Sequence, residues 1–173
     1  MDEIHLRKKA KMMKMKSGVE QAICILIMLA TQIDRRPIKS AILSKRLAVS
    51  DSYLKKVMRS LVVSGLVNSE AGKDGGFRLN RTPEEITMLH IYEAIEGTHS
   101  FVRPTSLAEK VFLRADKIRD KKQEVLEVFF DAEQQFKGRL QQYTLGSLLV
   151  EGSERIGAAD WESIVLTSEN KKS

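Results

Sequence analysis

The chain contains one cysteine, Cys24, in 173 residues, so it cannot form an internal disulfide. Such scarcity is typical of proteins from a reducing compartment. Long apolar runs are also missing, because none reaches the roughly eighteen residues of a membrane-spanning helix. The apolar run from Ala22 to Ala30 is not followed by a cleavage site, so no secretory signal is visible. We therefore expect a cytoplasmic protein with no membrane partner.

Residues suited to catalysis or metal binding are few and scattered. His90 and His99 are isolated from each other and from the cysteine, so neither has the paired spacing of metal ligands. The glycine-rich segment from Gly72 to Gly76 joins two short strand patterns, which makes it a turn and not a phosphate-cradling loop. No serine or cysteine has a histidine placed to activate it. We predict no enzyme activity, no catalytic residue, no metal and no cofactor.

Positive charge is abundant but unevenly distributed. The net charge is +6, with 17 basic and 7 acidic residues in 1–82, and 12 basic and 16 acidic residues in 83–173. Between Arg35 and Ser60 there are eight basic residues and one acidic residue, Asp51. A local excess of this kind indicates a polyanionic partner. Nucleic acid is favoured over a membrane surface, because the apolar faces here are better explained as core.

The segment from Lys39 to Leu66 predicts a helix-turn-helix. Its first helix has Ala41, Ile42 and Leu47 on the apolar side. In its second helix the apolar residues recur at three- and four-residue steps. They are Leu54, Val57, Met58, Leu61 and Val62.

Local signals also define the ends of the second helix. Val49 can fill the corner between the helices, and Ser50 or Asp51 can cap the second helix through a side-chain oxygen. Gly65 ends it, because glycine enters the left-handed conformation at little cost. The outward face of this helix has donors suited to a major groove and to its phosphates. They are Ser52, Tyr53, Lys55, Lys56 and Arg59.

A β-hairpin is predicted directly after the helix-turn-helix. The segments 66–71 and 77–80 can pair across the glycine-rich turn. This order of elements is that of a winged helix, in which the hairpin is the wing. An ordinary helical hairpin with a solvated lysine face is the alternative to the helix-turn-helix, but it does not explain the hairpin that follows.

A long helix from about Arg119 to Tyr143 is predicted to mediate dimerisation. Its apolar residues recur at steps of three and four and form a seam near the coiled-coil period. Twenty helical residues span about 30 Å, too long to bury against so small a domain, so a second subunit is the expected cover. The seam residues are Val125, Phe129, Ala132, Phe136, Leu140 and Tyr143.

The remaining segments carry weaker signals. Residues 1–12 are expected to be a disordered basic extension, with a DNA-contacting arm as the alternative. A winged helix-turn-helix domain is expected over 13–97, a linker and dimerisation helix region over 98–150, and a C-terminal tail over 151–173. The tail's apolar residues Trp161, Ile164, Val165 and Leu166 suggest docking at an undetermined place. Cys24 is expected to be a buried small hydrophobe, with a redox-sensing thiol as the minority alternative.

Several motifs, in order, resemble the Rrf-two family of bacterial winged-helix transcription regulators. The resemblance covers roughly 13–150. It rests mainly on the motifs at 17–22, 49–54, 75–79, 82–87 and 94–97, which read SGVEQA, VSDSYL, GGFRL, TPEEIT and AIEG. It implies a homodimer that binds a near-palindromic DNA operator, usually as a repressor. Cluster-binding members of the family have three cysteines between the equivalent of Gly97 and the dimerisation helix. This chain has none there, so cluster sensing is not carried over.

The residue pattern and the resemblance together predict a mainly α protein with a small β-hairpin, comprising a winged helix-turn-helix domain and a long dimerisation helix. The predicted function is sequence-specific transcription regulation, with an unknown small-molecule or protein effector. The alternative is a winged-helix adaptor that binds another protein without sequence-specific DNA readout. The residues predicted to contact DNA are Lys39, Ser40, Ser50, Ser52, Tyr53, Lys55, Lys56, Arg59, Lys73, Gly75, Gly76 and Arg78.

Overall fold

A computed structural model describes residues 17–111, 115–149 and 157–170; the predicted basic extension at 1–12 lies outside these ranges. The helices are α1 (Ser17–Thr31), α2 (Ser40–Leu47), α3 (Asp51–Val63), α4 (Met88–Glu96), α5 (Leu107–Val111), α6 (Ala115–Gln141) and α7 (Trp161–Asn170). Two strands, β1 (Val67–Glu70) and β2 (Gly76–Leu79), form an antiparallel hairpin. Short 3-10 helices cover Ile33–Arg35, Pro83–Glu85 and Gly146–Leu148. In the described part of the chain, no helix is long and apolar enough to cross a membrane.

Helix α1 supplies the centre of the hydrophobic core. Ala22, Ile25 and Leu26 are fully buried and belong to one cluster with residues of α2, α3 and α4. The apolar run of α1 is not buried on every side, and the prediction that Cys24 is fully buried is wrong. Ile23 and Cys24 are only half-buried, because the neighbouring helices cover one side of α1 and leave the other partly open.

The helix-turn-helix is confirmed with its predicted ends. Ala48 adopts a left-handed conformation after α2, and the Ser50 hydroxyl caps α3 by accepting a hydrogen bond from the Tyr53 N–H at 3.3 Å. Gly65 follows α3 with φ +69°, and its N–H donates to the Val62 carbonyl at 3.0 Å. One apolar assignment was wrong. Ala41 is exposed, whereas Leu43 is fully buried against the core cluster.

The wing is anchored to the segment that leads into α2. Val67 pairs with Leu79 and Glu70 with Gly76, as the glycine-rich turn predicted. Phe77 and Ile38 exchange two backbone hydrogen bonds of 2.9 Å, so the segment before α2 adds a bridge to the edge of β2. The wing is therefore fixed relative to the first helix of the helix-turn-helix.

The end of the long helix is fixed to the start of α4. The Met88 N–H donates to the Tyr143 carbonyl at 2.8 Å, and the Leu145 N–H donates to the Ile86 carbonyl at 2.7 Å. These bonds turn the chain away from the helical path, so α6 ends at Gln141 and Tyr143 lies beyond it. The helix therefore ends slightly earlier than the sequence suggested, and it also begins earlier, at Ala115.

Helix α7 packs on the helix-turn-helix. Val165 is buried in the core cluster, and Trp161 packs against that cluster. Ile164 and Leu166 are exposed. The structure thus gives the C-terminal segment the docking place that the sequence left undetermined.

Candidate nucleic-acid interface

Helix α3 presents one apolar face to the core and one polar face to solvent. Leu54, Val57, Met58 and Leu61 are buried, which fixes the rotation of the helix about its axis. As a result, the opposite face is exposed and carries three cations and a hydroxyl. These residues are Ser52, Lys55, Lys56 and Arg59.

Tyr53 is only partly available to a ligand. Its side chain is half-buried and packs against the core. Its hydroxyl lies 3.6 Å from the position that a Cβ on Gly18 would take, so the ring is directed towards the start of α1. Tyr53 was predicted on the outward face of α3, and the structure leaves its side chain only partly exposed there. Helix α1 covers part of Tyr53. The three- and four-residue spacing within α3 gives no information about this neighbour.

The start of α2 lies beside the exposed face of α3. Lys39 and Ser40 are both exposed at this end of the helix. A cleft of about 270 Å³ between α2, α3 and the wing has an apolar floor that includes Met58 and Phe77, and it is also lined by Ser40, Lys55 and Arg59. The N-terminal end of a helix favours anions because its first backbone N–H groups are unpaired within the helix. This end of α2 and the basic face of α3 therefore form one continuous surface.

The predicted wing residues have different environments. Lys73 is exposed in the turn, whereas Arg78 is paired with Glu70 across the hairpin at 2.5 Å. Side chains at Gly75 and Gly76 would meet backbone, since a Cβ at Gly76 would lie 2.6 Å from the Ile38 carbonyl oxygen. The two glycines therefore shape the wing, and Lys73 is the wing cation that extends towards solvent.

Ser50 has a structural role at the start of α3. Its hydroxyl accepts the capping hydrogen bond from Tyr53 and lies 3.2 Å from the Ser52 hydroxyl. Two hydroxyls are thus held close together at the first turn of α3. In helix-turn-helix proteins, residues at this end of the second helix reach base edges.

The apolar seam of α6 is largely open to solvent. The exposed fraction is 56% for Val125, 54% for Phe129, 38% for Phe136 and 40% for Tyr143. Ala132 is also exposed and Leu140 is half-buried. Val128, which the heptad-like spacing did not include, is 68% exposed beside them. Several large apolar side chains on one helix mark a surface suited to burial by a partner.

Next to the seam, α6 contributes to a buried polar cluster that the sequence analysis missed. Glu133 is 2% exposed and accepts a hydrogen bond from the Ser100 hydroxyl, while the Lys137 ammonium lies 2.9 Å from its Oε1. The hydrogen bond from Ser100, and to a smaller extent the contact with Lys137, hold the pKa of Glu133 below its usual value. Lys122 contacts Glu109 at 2.6 Å and further fixes α5 to α6. The cluster holds the segment between α4 and α6 against the long helix.

Cys24 shows little sign of reactivity. Burial, and secondarily the negative charge of Glu20, raises the pKa of its thiol. A raised thiol pKa lowers the fraction of reactive thiolate at neutral pH. This environment supports the interpretation of Cys24 as a small packing residue.

Comparison with known proteins identifies the class to which this geometry belongs. The family described as "Rrf2: Iron-dependent Transcriptional regulator" matches residues 15–151. The chain belongs to the Rrf2 family. The description of that family is that of a transcriptional regulator.

Individual relatives of this Rrf2-family chain carry similar names. It is 44% identical over 100 residues to YwgB of Bacillus subtilis, a protein named as an HTH-type transcriptional regulator, and the match covers 58% of this chain and 64% of YwgB. It is 32% identical over 84 residues to the HTH-type transcriptional regulator IscR of Aliivibrio salmonicida, covering 49% of this chain and 50% of IscR. The chain thus spans less than two thirds of the length of these curated relatives.

A solved structure shows the same fold. CymR (YrzC), the global cysteine regulator of B. subtilis, is similar with a TM-score of 0.56 and 24% identity, over 79% of this chain and 96% of CymR. This match confirms the predicted class, a mainly α winged helix-turn-helix protein with a small hairpin.

The iron dependence in the family description does not fit the residues present. The chain has one cysteine, and within the described ranges no group of three histidine, cysteine or acidic residues could hold a metal ion. His90 uses its Nδ1 to accept a hydrogen bond from the Thr87 N–H at 3.1 Å, and so completes the cap of α4. Iron–sulfur clusters need several thiolates, or thiolates with histidines. We therefore assign no role to iron.

Proposed function

We propose that this Rrf2-family regulator represses transcription by binding a near-palindromic operator as a homodimer. The observation that carries the proposal is the exposed face of α3, which carries Lys55, Lys56 and Arg59 and from which Lys55 and Arg59 share a cleft with Ser40 at the start of α2. Within the described residues, none of these three cations forms an ion pair with a carboxylate. Unpaired cations on a rigid helix can replace the counterions of DNA phosphates.

The side chains of this surface divide into two kinds of contact. Ser52 lies in the first turn of α3, where side chains approach base edges in the major groove, so we assign it to sequence discrimination. Lys56 and Arg59 are assigned to phosphates, which fix register without reading sequence. Lys55 could serve either role. Lys73 is assigned to the backbone or minor groove next to the wing.

The homodimer is proposed from the seam of α6. One winged helix contacts one half-site, and two half-sites lie about 34 Å apart along the same face of DNA. A dimer makes the second contact intramolecular, which can raise affinity about a hundredfold or more. Phe129 and Val128 are more than half exposed on α6, a surface that a second copy of the seam could cover.

The function is tested by removing the three cations of α3 together. In the Lys55→Ala, Lys56→Ala, Arg59→Ala variant, we expect binding to a labelled 30-base-pair duplex to weaken strongly. If all three cations contact phosphates, the slope of log affinity against log salt concentration should fall by about three per protomer. Fluorescence anisotropy between low and moderate salt measures both quantities.

A matched control separates local contacts from overall charge. The variant Lys110→Ala, Arg119→Ala, Lys121→Ala removes three exposed cations from α5 and α6 and should keep the salt slope of the unchanged chain. Genome-wide footprinting with the unchanged chain should give inverted half-sites. Equal DNA affinity in the α3 variant and the control would refute the assignment of α3 to DNA recognition.

A further inference from the structure

Helix α7 is joined to the protein by specific contacts at its first turn. The Trp161 indole N–H donates to the Thr31 hydroxyl at 3.0 Å. The Ala159 N–H donates to the Thr31 carbonyl at 2.9 Å, and the Ala159 carbonyl accepts from the Ile33 N–H at 2.7 Å. Val165 is buried one turn later. These contacts fix the position of α7 against the end of α1 and the segment that leads to α2.

This docking places two carboxylates against two cations that precede or begin α2. Asp160 lies 3.5 Å from the Arg36 guanidinium, and Glu162 lies 3.6 Å from the Lys39 ammonium. All four side chains are between 38% and 55% exposed. Ion pairs at such exposure contribute little to folding stability. Their main physical effect is therefore on the local electrostatic potential.

A third cation, from α2, is also engaged by α7. The Arg46 guanidinium lies over the Trp161 ring, 5.4 Å from its centroid. A cation in this position is attracted by the negative face of the ring. Helix α7 thus contacts Arg36, Lys39 and Arg46, three of the eight basic residues in the Arg35–Ser60 segment.

These contacts border the candidate interface. Arg36 and Lys39 share a cleft of about 470 Å³ with Asp160, Glu162 and the wing-turn residue Asp74. The residue after Lys39 is Ser40, which lines the neighbouring cleft with the cations of α3. The acidic end of α7 therefore lies where the start of α2 and the tip of the wing would approach a phosphate backbone.

We propose that α7 is an autoinhibitory element in which Asp160 and Glu162 compete with DNA phosphates for Arg36 and Lys39. The inference rests on the proposed DNA-binding function and adds a regulatory element to it. The helix lies beyond residue 151, where the family match ends. Two phosphate contacts per protomer are weakened while the carboxylates stay in place. The protein therefore binds DNA less tightly, and with a smaller salt dependence, than its basic surface alone would allow.

The test neutralises the two carboxylates in the full chain. Asp160→Asn keeps an N-cap residue, since Asp160 Oδ1 accepts from the Ser163 N–H at 3.3 Å and asparagine caps equally well. Glu162→Gln keeps the shape of the side chain. We expect the double variant to bind a random-sequence 30-base-pair duplex roughly tenfold more tightly at low salt. The salt slope should become steeper by about two per protomer.

Two further variants show whether the effect is local. Asp120→Asn with Asp131→Asn removes two exposed carboxylates from α6, raises the net charge equally, and should change affinity less than twofold. In a background with Arg36→Gln and Lys39→Gln, neutralising Asp160 and Glu162 should also have less than a twofold effect. This double-mutant cycle measures the coupling between the acidic and basic pairs.

The outcomes discriminate between the inference and the function on which it rests. Tighter binding that depends on Arg36 and Lys39 supports autoinhibition. Unchanged or weaker binding of the double variant overturns it, as does an equal gain in the α6 control. If the unchanged chain and every variant fail to bind DNA, the proposed function is refuted and the inference falls with it.

Discussion

A negative charge in the seam of α6 should dissociate the proposed dimer. Phe129 is the best position, because 54% of it is exposed. Phe136 is less suitable, since its ring packs edge-on against Tyr92 of the same chain with centroids 5.2 Å apart. Changing Phe136 would disturb the contact between α4 and α6 as well as the seam. Phe129→Asp confines the perturbation to the exposed surface.

The size of the effect follows from the exposed area of Phe129. An aromatic side chain of about 200 Å² that is half exposed offers about 110 Å² to a partner. Burial of that area at about 25 cal/mol per Å² contributes nearly 3 kcal/mol per protomer. A symmetric dimer contains the residue twice, so its loss costs about 5–6 kcal/mol, or about four orders of magnitude in the dissociation constant. Burying the new carboxylate without a counter-ion adds to this cost.

Sedimentation velocity and footprinting test this prediction together. The Phe129→Asp variant should sediment as a monomer and lose protection of paired half-sites. Weak, salt-sensitive binding to any duplex should remain, because α3 and the wing are unchanged. Gln134→Asp adds the same charge at an exposed position outside the seam and should remain dimeric. A Phe129→Asp protein that stays dimeric and protects both half-sites would show that assembly occurs through another surface.

Three other changes test the remaining assignments. Cys24→Ala should bind DNA normally under reducing conditions and keep any response to peroxide, since the raised pKa of the thiol disfavours reactivity. A variant that represses normally but no longer responds to peroxide would contradict the assignment of Cys24 as a packing residue. Gly76→Ala should lower the melting temperature, because its Cβ would lie 2.6 Å from the Ile38 carbonyl oxygen. The control Gly138→Ala adds a Cβ in open space on a helix and should be neutral or stabilising. Similar melting temperatures for the two variants would argue against a close backbone approach at the wing. Glu133→Gln should lower stability at neutral pH. The pKa of Glu133 is lowered in the folded protein, so its contribution to folding stability is complete above the ordinary pKa and is lost as pH falls through the folded pKa. The difference in melting temperature between the unchanged chain and Glu133→Gln should therefore shrink on acidification. A difference that stays constant with pH would refute this linkage.

Local chemistry determined most of the winged helix-turn-helix part of this protein. Apolar residues at three- and four-residue steps defined α3, and Ser50 and Gly65 defined its ends. The glycine-rich turn defined the hairpin, because a short connection between two strands favours their antiparallel pairing. Each of these features depends on residues a few positions apart, which is why the sequence alone was sufficient.

Contacts between distant residues were decided by the tertiary structure. Trp161 meets Thr31 across 130 positions, and Glu133 meets Ser100 across 33, so neither pairing has a local signature. Tyr53 has the spacing of an outward residue, but the start of α1 covers part of it. Periodicity specifies which face of a helix is apolar and leaves open which neighbour covers that face. That choice depends on how all the helices pack together, and here it placed the acidic end of α7 against the cations that lead into α2.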